Sequence, residues 1–263
     1  MSVPVTFSTG SLYPFGLERS YAWASEVGYD GIEIMMDDRW DTHQRGYLDH
    51  LADKHGIPIF AFHPPLRRGA WDLRPEETLV RVAKLARSME VPVIVAHPPP
   101  PGRSLERWST GPLREARKQD VSVAVENMPR ARRSGIFGLG RPRSCHLPEH
   151  LLGLGDVTLD TSHVGASKVD LMQAYSVLAG QLRHVHLSDS DLTGGDQHRL
   201  PGKGLLPLRP FLAALAKSGY SGVVCLELKP WPLGAPDTET IIERMREALE
   251  FARGALSENS HSR

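Results

Sequence analysis

The sequence predicts a single (β/α)8 barrel of the α/β class, and three observations carry that prediction. Short apolar or β-branched segments alternate strictly with amphipathic segments along the chain, and eight such units fit within its 263 residues. The strand-like segments are almost continuously apolar, the pattern of parallel strands covered by helices. The runner-up architecture is a doubly wound open sheet, but its usual glycine-rich phosphate loop after the first strand is absent. No break in composition marks a second domain. The barrel is therefore expected to span residues 1–256, followed by a polar, disordered tail over 257–263.

The elements follow in order. VPVTFS from residue 3 reads as the first strand and 17–27 as the first helix. GIEIMM from residue 31 is the second strand, followed by a helix carrying Leu48, Leu51 and Ala52. IPIFAFH from residue 57 is the third, and the helix over 76–89 sets Leu79, Val82, Ala83 and Ala86 on one face. VPVIVAH from residue 91 is the fourth, leading through a proline-rich loop to a helix over 104–118. VSVAVEN from residue 121, a short helix near 148–153, and VTLDTSHV from residue 157 come next. A helix over 170–178, LRHVHLSD from residue 182, a long loop and a helix over 208–217 follow. VVCLEL from residue 223 and a closing helix over 238–253 complete the eight units.

Composition narrows the functional classes. Hydrophobic residues make up 40% and charged residues 24%, ordinary for a globular chain with a sizeable core. Lys plus Arg equals Asp plus Glu at 31 each, so no global charge draws the protein to nucleic acid or membrane. The two cysteines, Cys145 and Cys225, lack disulfide-framework or metal-site spacing, are assigned to packing, and fit a reducing cytoplasm. MSVPVTFSTG enters a strand directly, with neither a basic segment nor a long apolar stretch, so a cytoplasmic protein without membrane partners is expected.

In such a barrel the chemistry lies at the C-terminal ends of the strands. Strands three to eight end in His63, His97, Glu126, Asp160, His186 and Glu227, six consecutive ends that each deliver a metal-ligand residue type. Glu126 and Glu227 are the most informative, because a carboxylate buried in an apolar strand is costly unless a cation or donor meets it. Ala124 and Cys225, two residues before them, share their faces and are expected to fill the layer below. His184 lies one layer beneath His186 and reads as a supporting or core residue. In DTSH, Asp160 could cap a helix or bind an ion, and His163 follows three residues later. His43, His50, His55, His146, His150 and His261 fall in helices or loops and are expected to be solvated.

Two loops add to the pattern. GGDQHRLPGKG over 194–204 sets Asp196 and His198 two residues apart, as a ligand pair or as part of a mobile surface loop. MPRARRSGIFGLGRPRS after Glu126 holds Arg130, Arg132, Arg133, Arg141 and Arg143 without an acid, and Arg67 and Arg68 follow His63. Arginine's planar fork suits phosphate, so an anionic, phosphate-bearing substrate is expected.

GYDGIEI, AFHPP, VAHPP, VAVENM, TLDTSH, HVHLSD, DQHRLPGKG and CLELKP together resemble the xylose isomerase-like TIM barrels, the superfamily of sugar phosphate isomerases and epimerases and of endonuclease IV. The similarity runs over nearly the whole chain. Resemblance to its ketose epimerase branch implies one divalent ion, zinc or manganese, held by Glu126, Asp160, His186 and Glu227. Glu126 and Glu227 would exchange the substrate's carbon-bound proton as base and acid over a metal-stabilised enediolate. His163 would then contact the sugar, with Arg132, Arg133 and Lys229 as further substrate-binding residues. Resemblance to the endonuclease IV branch implies up to three ions. His63, His97 and Glu126 would hold one, the four epimerase-type ligands a second, and His163, Asp196 and His198 a third.

The departures are few. The arginine of ketohexose epimerases is missing from HLSDSDLTGG, which carries acids instead, and no tyrosine lies near His63. The expected activity is divalent-metal-dependent isomerisation or epimerisation of a small sugar or sugar phosphate. The alternative is a multi-zinc phosphoesterase of the abasic-site endonuclease type, for which nucleic acid would be the partner. A non-enzymatic binding barrel is a third class. Sequence leaves the oligomeric state open.

Overall fold

The computed structural model describes residues 2–65, 70–100, 103–130 and 145–258. Eight parallel strands close into a barrel in sequence order: β1 (Val5–Ser8), β2 (Gly31–Met35), β3 (Ile59–His63), β4 (Val93–Ala96), β5 (Ser122–Glu126), β6 (Val157–Asp160), β7 (Leu182–Leu187) and β8 (Val223–Leu226). Closure is parallel between β1 and β8, with Val5 opposite Val224. Among the described residues the helices are α1 (Leu17–Val27), α2 (Arg45–His55), α3 (Pro75–Ser88), α4 (Leu105–Trp108), α5 (Arg114–Arg117), α6 (Thr161–Ser167), α7 (Leu171–Leu178), α8 (Leu208–Lys217) and α9 (Thr238–Ser257). None is long and apolar enough to cross a membrane.

The period of two along each strand divides its residues between two environments. Ile32, Ile34, Phe62, Ile94, Val123, Val125, Leu159, Val185 and Leu226 face outward and join the main apolar core under the helices. Facing inward, Ala61, Val93 and Ala124 form a small separate cluster. Thr6, Glu33, Thr158 and His184 are also fully buried, which makes the barrel lumen more polar than its outer layer. Ala124 thus lies in the inner layer below Glu126, as its spacing implies, and Cys145 and Cys225 are buried free thiols.

Local chemistry accounts for most element ends. Gly28 and Gly56 close α1 and α2 in the left-handed conformation, with φ of 91° and 63°. Asp170 and Asp237 cap α7 and α9 by accepting from the backbone N–H groups of Gln173 and Thr240. The helix expected over 104–118 is interrupted by a π turn over Ser109–Leu113 that contains Pro112. Proline has no N–H for the helical ladder and its ring crowds the preceding turn, so the coil widens there. Near 148 the chain makes only one 3₁₀ turn, Pro148–Leu151. Ser257 ends α9, and residues 259–263 of the expected tail lie outside the described residues.

Register shifts fall between Ile32 and Glu33 on β2 and between Val157 and Thr158 on β6. Such irregularities re-aim the residues that follow them. Here they precede Glu33 and Asp160, two carboxylates directed into the barrel.

Candidate metal centre

The residues at the ends of β3 to β8 converge. His186 Nδ1 stands 2.8 Å from Glu126 Oε1, 3.1 Å from Glu227 Oε2 and 3.8 Å from Asp160 Oδ2. On the other side of Glu126, Oε2 lies 3.0 Å from His97 Nε2, which is 2.8 Å from His63 Nε2. Glu126 therefore presents one oxygen to each group, the arrangement of a carboxylate able to bridge two ions.

The third set is assembled by backbone carbonyls. His163 Nδ1 donates to the Asn127 carbonyl at 2.8 Å, and His198 Nδ1 donates to the Glu227 carbonyl at 3.0 Å. Each ring then turns Nε2 toward Asp196 Oδ1, at 3.5 Å from His163 and 2.6 Å from His198. A backbone acceptor on one nitrogen leaves the other with a lone pair for an ion.

Every residue of DTSH has a separate task. Asp160 Oδ1 accepts from the His163 backbone N–H at 2.8 Å and so caps α6, while Oδ2 faces the carboxylate and histidine cluster. One oxygen thus forms the cap, and the other is left facing the cluster. Thr161 Oγ1 donates to the Ser188 carbonyl at 2.6 Å and accepts from the Ser188 N–H at 3.0 Å, fastening α6 to the end of β7. Ser162 Oγ accepts from the backbone N–H groups of Gln197 and His198, at 3.2 and 3.0 Å, and anchors the loop that carries Asp196 and His198.

That loop is tied down from beneath by Asp189. Its carboxylate accepts from the backbone N–H groups of Ser190, Gly202, Gly204 and Leu206 at 2.8 to 3.1 Å. A Cβ on Gly204 would lie 2.3 Å from Asp189 Oδ1 and 2.5 Å from the Ser190 carbonyl. Gly204→Ala is expected to destabilise the protein by about 1–3 kcal/mol through this overlap. It should also lower the number of ions retained while leaving the barrel folded, measured by denaturant unfolding alongside metal analysis. Unchanged ion content at reduced stability would show that the loop does not hold an ion.

Electrostatics favour a cation in the cluster. Buried Glu126 Oε2, Asp160 Oδ2 and Glu33 Oε1 have no hydrogen-bond partner among the described residues. Burial pushes the Asp160 carboxyl up to about 6, and nearby Glu227 and Glu126 add to the effect against His163 and His198. Burial alone would lower the histidines, but Asp160 and other carboxylates raise His163 to about 10 and His198 to about 9. Against its burial, Glu227, Glu33 and Glu126 hold His186 well above its ordinary range, whereas burial leads in lowering His97 and His184. Protonated imidazoles thus supply the positive charge that the carboxylates require. A divalent ion could replace it, and the oxygen and nitrogen donors suit zinc or manganese.

Several sequence expectations need revision or fall elsewhere. His43 is buried rather than solvated, packed edge-on to Trp71 at 4.8 Å between ring centres. The acids of HLSDSD organise the loop: Asp189 as above, and Asp191 by accepting from Thr193 and Gln197. Lys229 Nζ bonds to the Asp196 carbonyl and lies 3.6 Å from its Oδ2, beside the third ligand set. Arg132, Arg133, Arg141 and Arg143, with Arg67 and Arg68, lie outside the described residues.

Sequence reasoning passed over Glu33 and Asn127. Glu33 carries the signal used for Glu126, a carboxylate inside an apolar strand, and it is fully buried against His184 and His186. Asn127 exchanges two hydrogen bonds with the Asp160 backbone, at 2.7 and 3.0 Å, locking β5 to β6 where the ligands emerge. A single Asn after a strand carries no comparable sequence signal.

Comparisons with known proteins agree with this architecture. The model of the xylose isomerase-like TIM barrel family matches residues 21–253. Fructoselysine 3-epimerase of Escherichia coli O157:H7 is 34% identical over 287 residues, covering 92% of this chain and 94% of that protein. An uncharacterized protein of Mycobacterium leprae is 27% identical over 279 residues, covering 97% and 98%. Among solved structures, D-psicose 3-epimerase from Clostridium cellulolyticum H10 superimposes with a TM-score of 0.73 at 15% identity, covering 96% of this chain and 99% of that one.

Proposed function

The chain belongs to the xylose isomerase-like TIM barrel family, and from that premise we propose that it is a divalent-metal-dependent isomerase or epimerase of a small sugar or sugar phosphate. The observation that carries this reading is the meeting of Glu126 and Glu227, from strands three apart, at one nitrogen, His186 Nδ1. With Asp160 they form a four-residue ligand set. The 3-epimerase names of the fructoselysine and psicose relatives support the same reaction class.

Glu126, Asp160, His186 and Glu227 would hold the central ion. When bound, that ion polarises the sugar carbonyl and steadies the charge left when a neighbouring carbon loses its proton. The protein's own share of the chemistry lies with the two glutamates. Despite their burial, Glu126 is held well below the ordinary carboxylate range by His186 and His97, and Glu227 is held to about 2 by His186 and His198. Both are therefore carboxylates at neutral pH, each with the basic form needed to take a carbon-bound proton. For epimerisation the partner on the opposite face would have to take a proton from solvent before the cycle, deliver it as the first carboxylate removes the substrate's own, and exchange roles with it in the reverse direction. Incubating the protein with free and phosphorylated ketoses in deuterium oxide tests this reading, with deuterium entry beside the carbonyl as the expected signal. No exchange with any ketose or ketose derivative, at saturating zinc or manganese, would sink the isomerase reading.

A second reading has its own observation, the assembly of His163, His198 and Asp196 in addition to His63, His97 and Glu126. Up to three zinc ions and phosphodiester hydrolysis would follow from those extra ligands. Three tightly held ions together with cleavage of an abasic-site oligonucleotide would favour it, whereas a single ion that survives His63→Ala and His198→Ala would dismiss it.

The three-ion reading also predicts proton release from its third ligand set. His163 and His198, raised to about 10 and 9, are protonated at pH 7 and must lose those protons to become ligands. Zinc uptake is expected to release protons at pH 7 and to weaken as pH falls, measured by calorimetry in buffers of differing ionisation enthalpy. Uptake without proton release would place the ion away from these histidines.

A further inference from the structure

Glu33 lies inside the barrel on β2, fully buried, and three histidines from two other strands converge on its carboxylate. Oε2 accepts from His184 Nε2 at 2.9 Å and from His186 Nε2 at 3.0 Å. Oε1 stands 3.4 Å from His63 Nδ1. The opposite nitrogens of two of these rings face the candidate ligand sets: His186 Nδ1 faces Glu126, Asp160 and Glu227, and His63 Nε2 faces His97.

We infer that Glu33 is a positioning residue that ties two ion positions together. By accepting from the rear nitrogen of His186 with Oε2 and holding Oε1 3.4 Å from that of His63, one carboxylate constrains which nitrogen each ring presents and the plane in which it presents it. A carboxylate behind a ligating imidazole also increases its basicity and orders its ring. Glu33 adds a feature that a simple histidine–carboxylate pair lacks, because its two oxygens serve rings belonging to different ligand sets. Loss of this one side chain should therefore weaken both ions together. His184, which presents no nitrogen to either set, orients the carboxylate from below through its Nε2.

This inference rests on a metal-dependent reading with an ion in each of these two ligand sets, and the test separates the two, because a parent that takes up a single zinc overturns the tie between the positions without touching the one-ion reading. Parent protein and Glu33→Gln are stripped of metal and titrated with zinc against a chromogenic chelator, and the cobalt-substituted forms are compared by visible absorption. A glutamine offers one acceptor oxygen and an amide that cannot accept, so it cannot serve all three rings. Zinc affinity is expected to fall by about 10–100-fold at both positions, with altered cobalt bands reporting the displaced imidazoles. Changes confined to thermal stability, with affinity within twofold of parent and an unaltered cobalt spectrum, would overturn the inference. Weakening of only one ion would overturn the tie between the positions. If Glu33→Gln does not fold, Glu33→Asp is measured in the same way. Its shortened carboxylate cannot span the rings, so parental affinity at both positions would again overturn the role. A parent that takes up no zinc fails the metal-dependent reading itself and removes Glu33's role with it.

Discussion

Glu227→Gln is expected to lower sugar turnover by about 10²–10⁴-fold, the usual contribution of a positioned acid or base. Glutamine matches glutamate in shape but cannot accept a proton, so packing at the end of β8 is preserved. At 11% side-chain exposure Glu227 is the more open of the two proposed acid–base carboxylates, since Glu126 is fully buried. The substitution also removes a charged ligand, so turnover must be compared at saturating ion. A loss in kcat under those conditions reports proton transfer, whereas a variant that recovers parental kcat once saturated would show that Glu227 only binds the ion.

Asp160 should separate two functions of one side chain. Asp160→Asn retains an oxygen to cap α6 but gives up the anionic ligand, whereas Asp160→Ala loses both. Ion affinity is expected to fall sharply in each. In metal-free protein, however, the alanine variant should be less stable than the asparagine variant by about 1 kcal/mol, the typical value of a helix N-cap. Equal stabilities would remove the capping role.

The pH dependence of the Asp160 comparison has a defined sign. In the folded protein the Asp160 carboxyl is raised to about 6 from an ordinary value of 3.8, chiefly by burial. Its contribution to stability is therefore fully present below pH 3.8 and is lost as pH rises through 6. Metal-free Asp160→Asn is thus expected to match the parent near pH 4 and to melt higher than it at pH 8, where the parent must hold a buried charge. Thermal melts in chelator at the two pH values measure the difference. A parent that outlasts the asparagine variant at pH 8 without metal would contradict the assigned burial cost.

Much of this site is legible in the sequence because the barrel converts chain order into geometry. A parallel strand that ends in a polar residue delivers it to one rim, so His63, His97, Glu126, Asp160, His186 and Glu227 could be read as neighbours from their places at strand ends alone. The near-continuous apolar strands likewise revealed a parallel sheet covered by helices, and their number, eight, pointed to closure. The long helix expected over 104–118 was less legible, because periodicity registers the apolar face but not the ladder bond that Pro112 cannot make.

What the sequence determined by itself is the barrel and the ring of ligand residue types at its mouth, because a period of two and the position of strand ends are local properties. Tertiary structure alone decided which atom faces which. Glu33 and His184 are 151 residues apart, and Asn127 and His163 are 36 apart, so no local pattern pairs them. Those distant contacts choose the nitrogen that each ring turns toward the cluster and hold the Asp196–His198 loop over it. They also let Asp160 cap a helix with one oxygen and face the ligand set with the other. Contacts of that kind exist only once the chain has closed, because burial removes the competing water and leaves each polar atom only its neighbours in the fold.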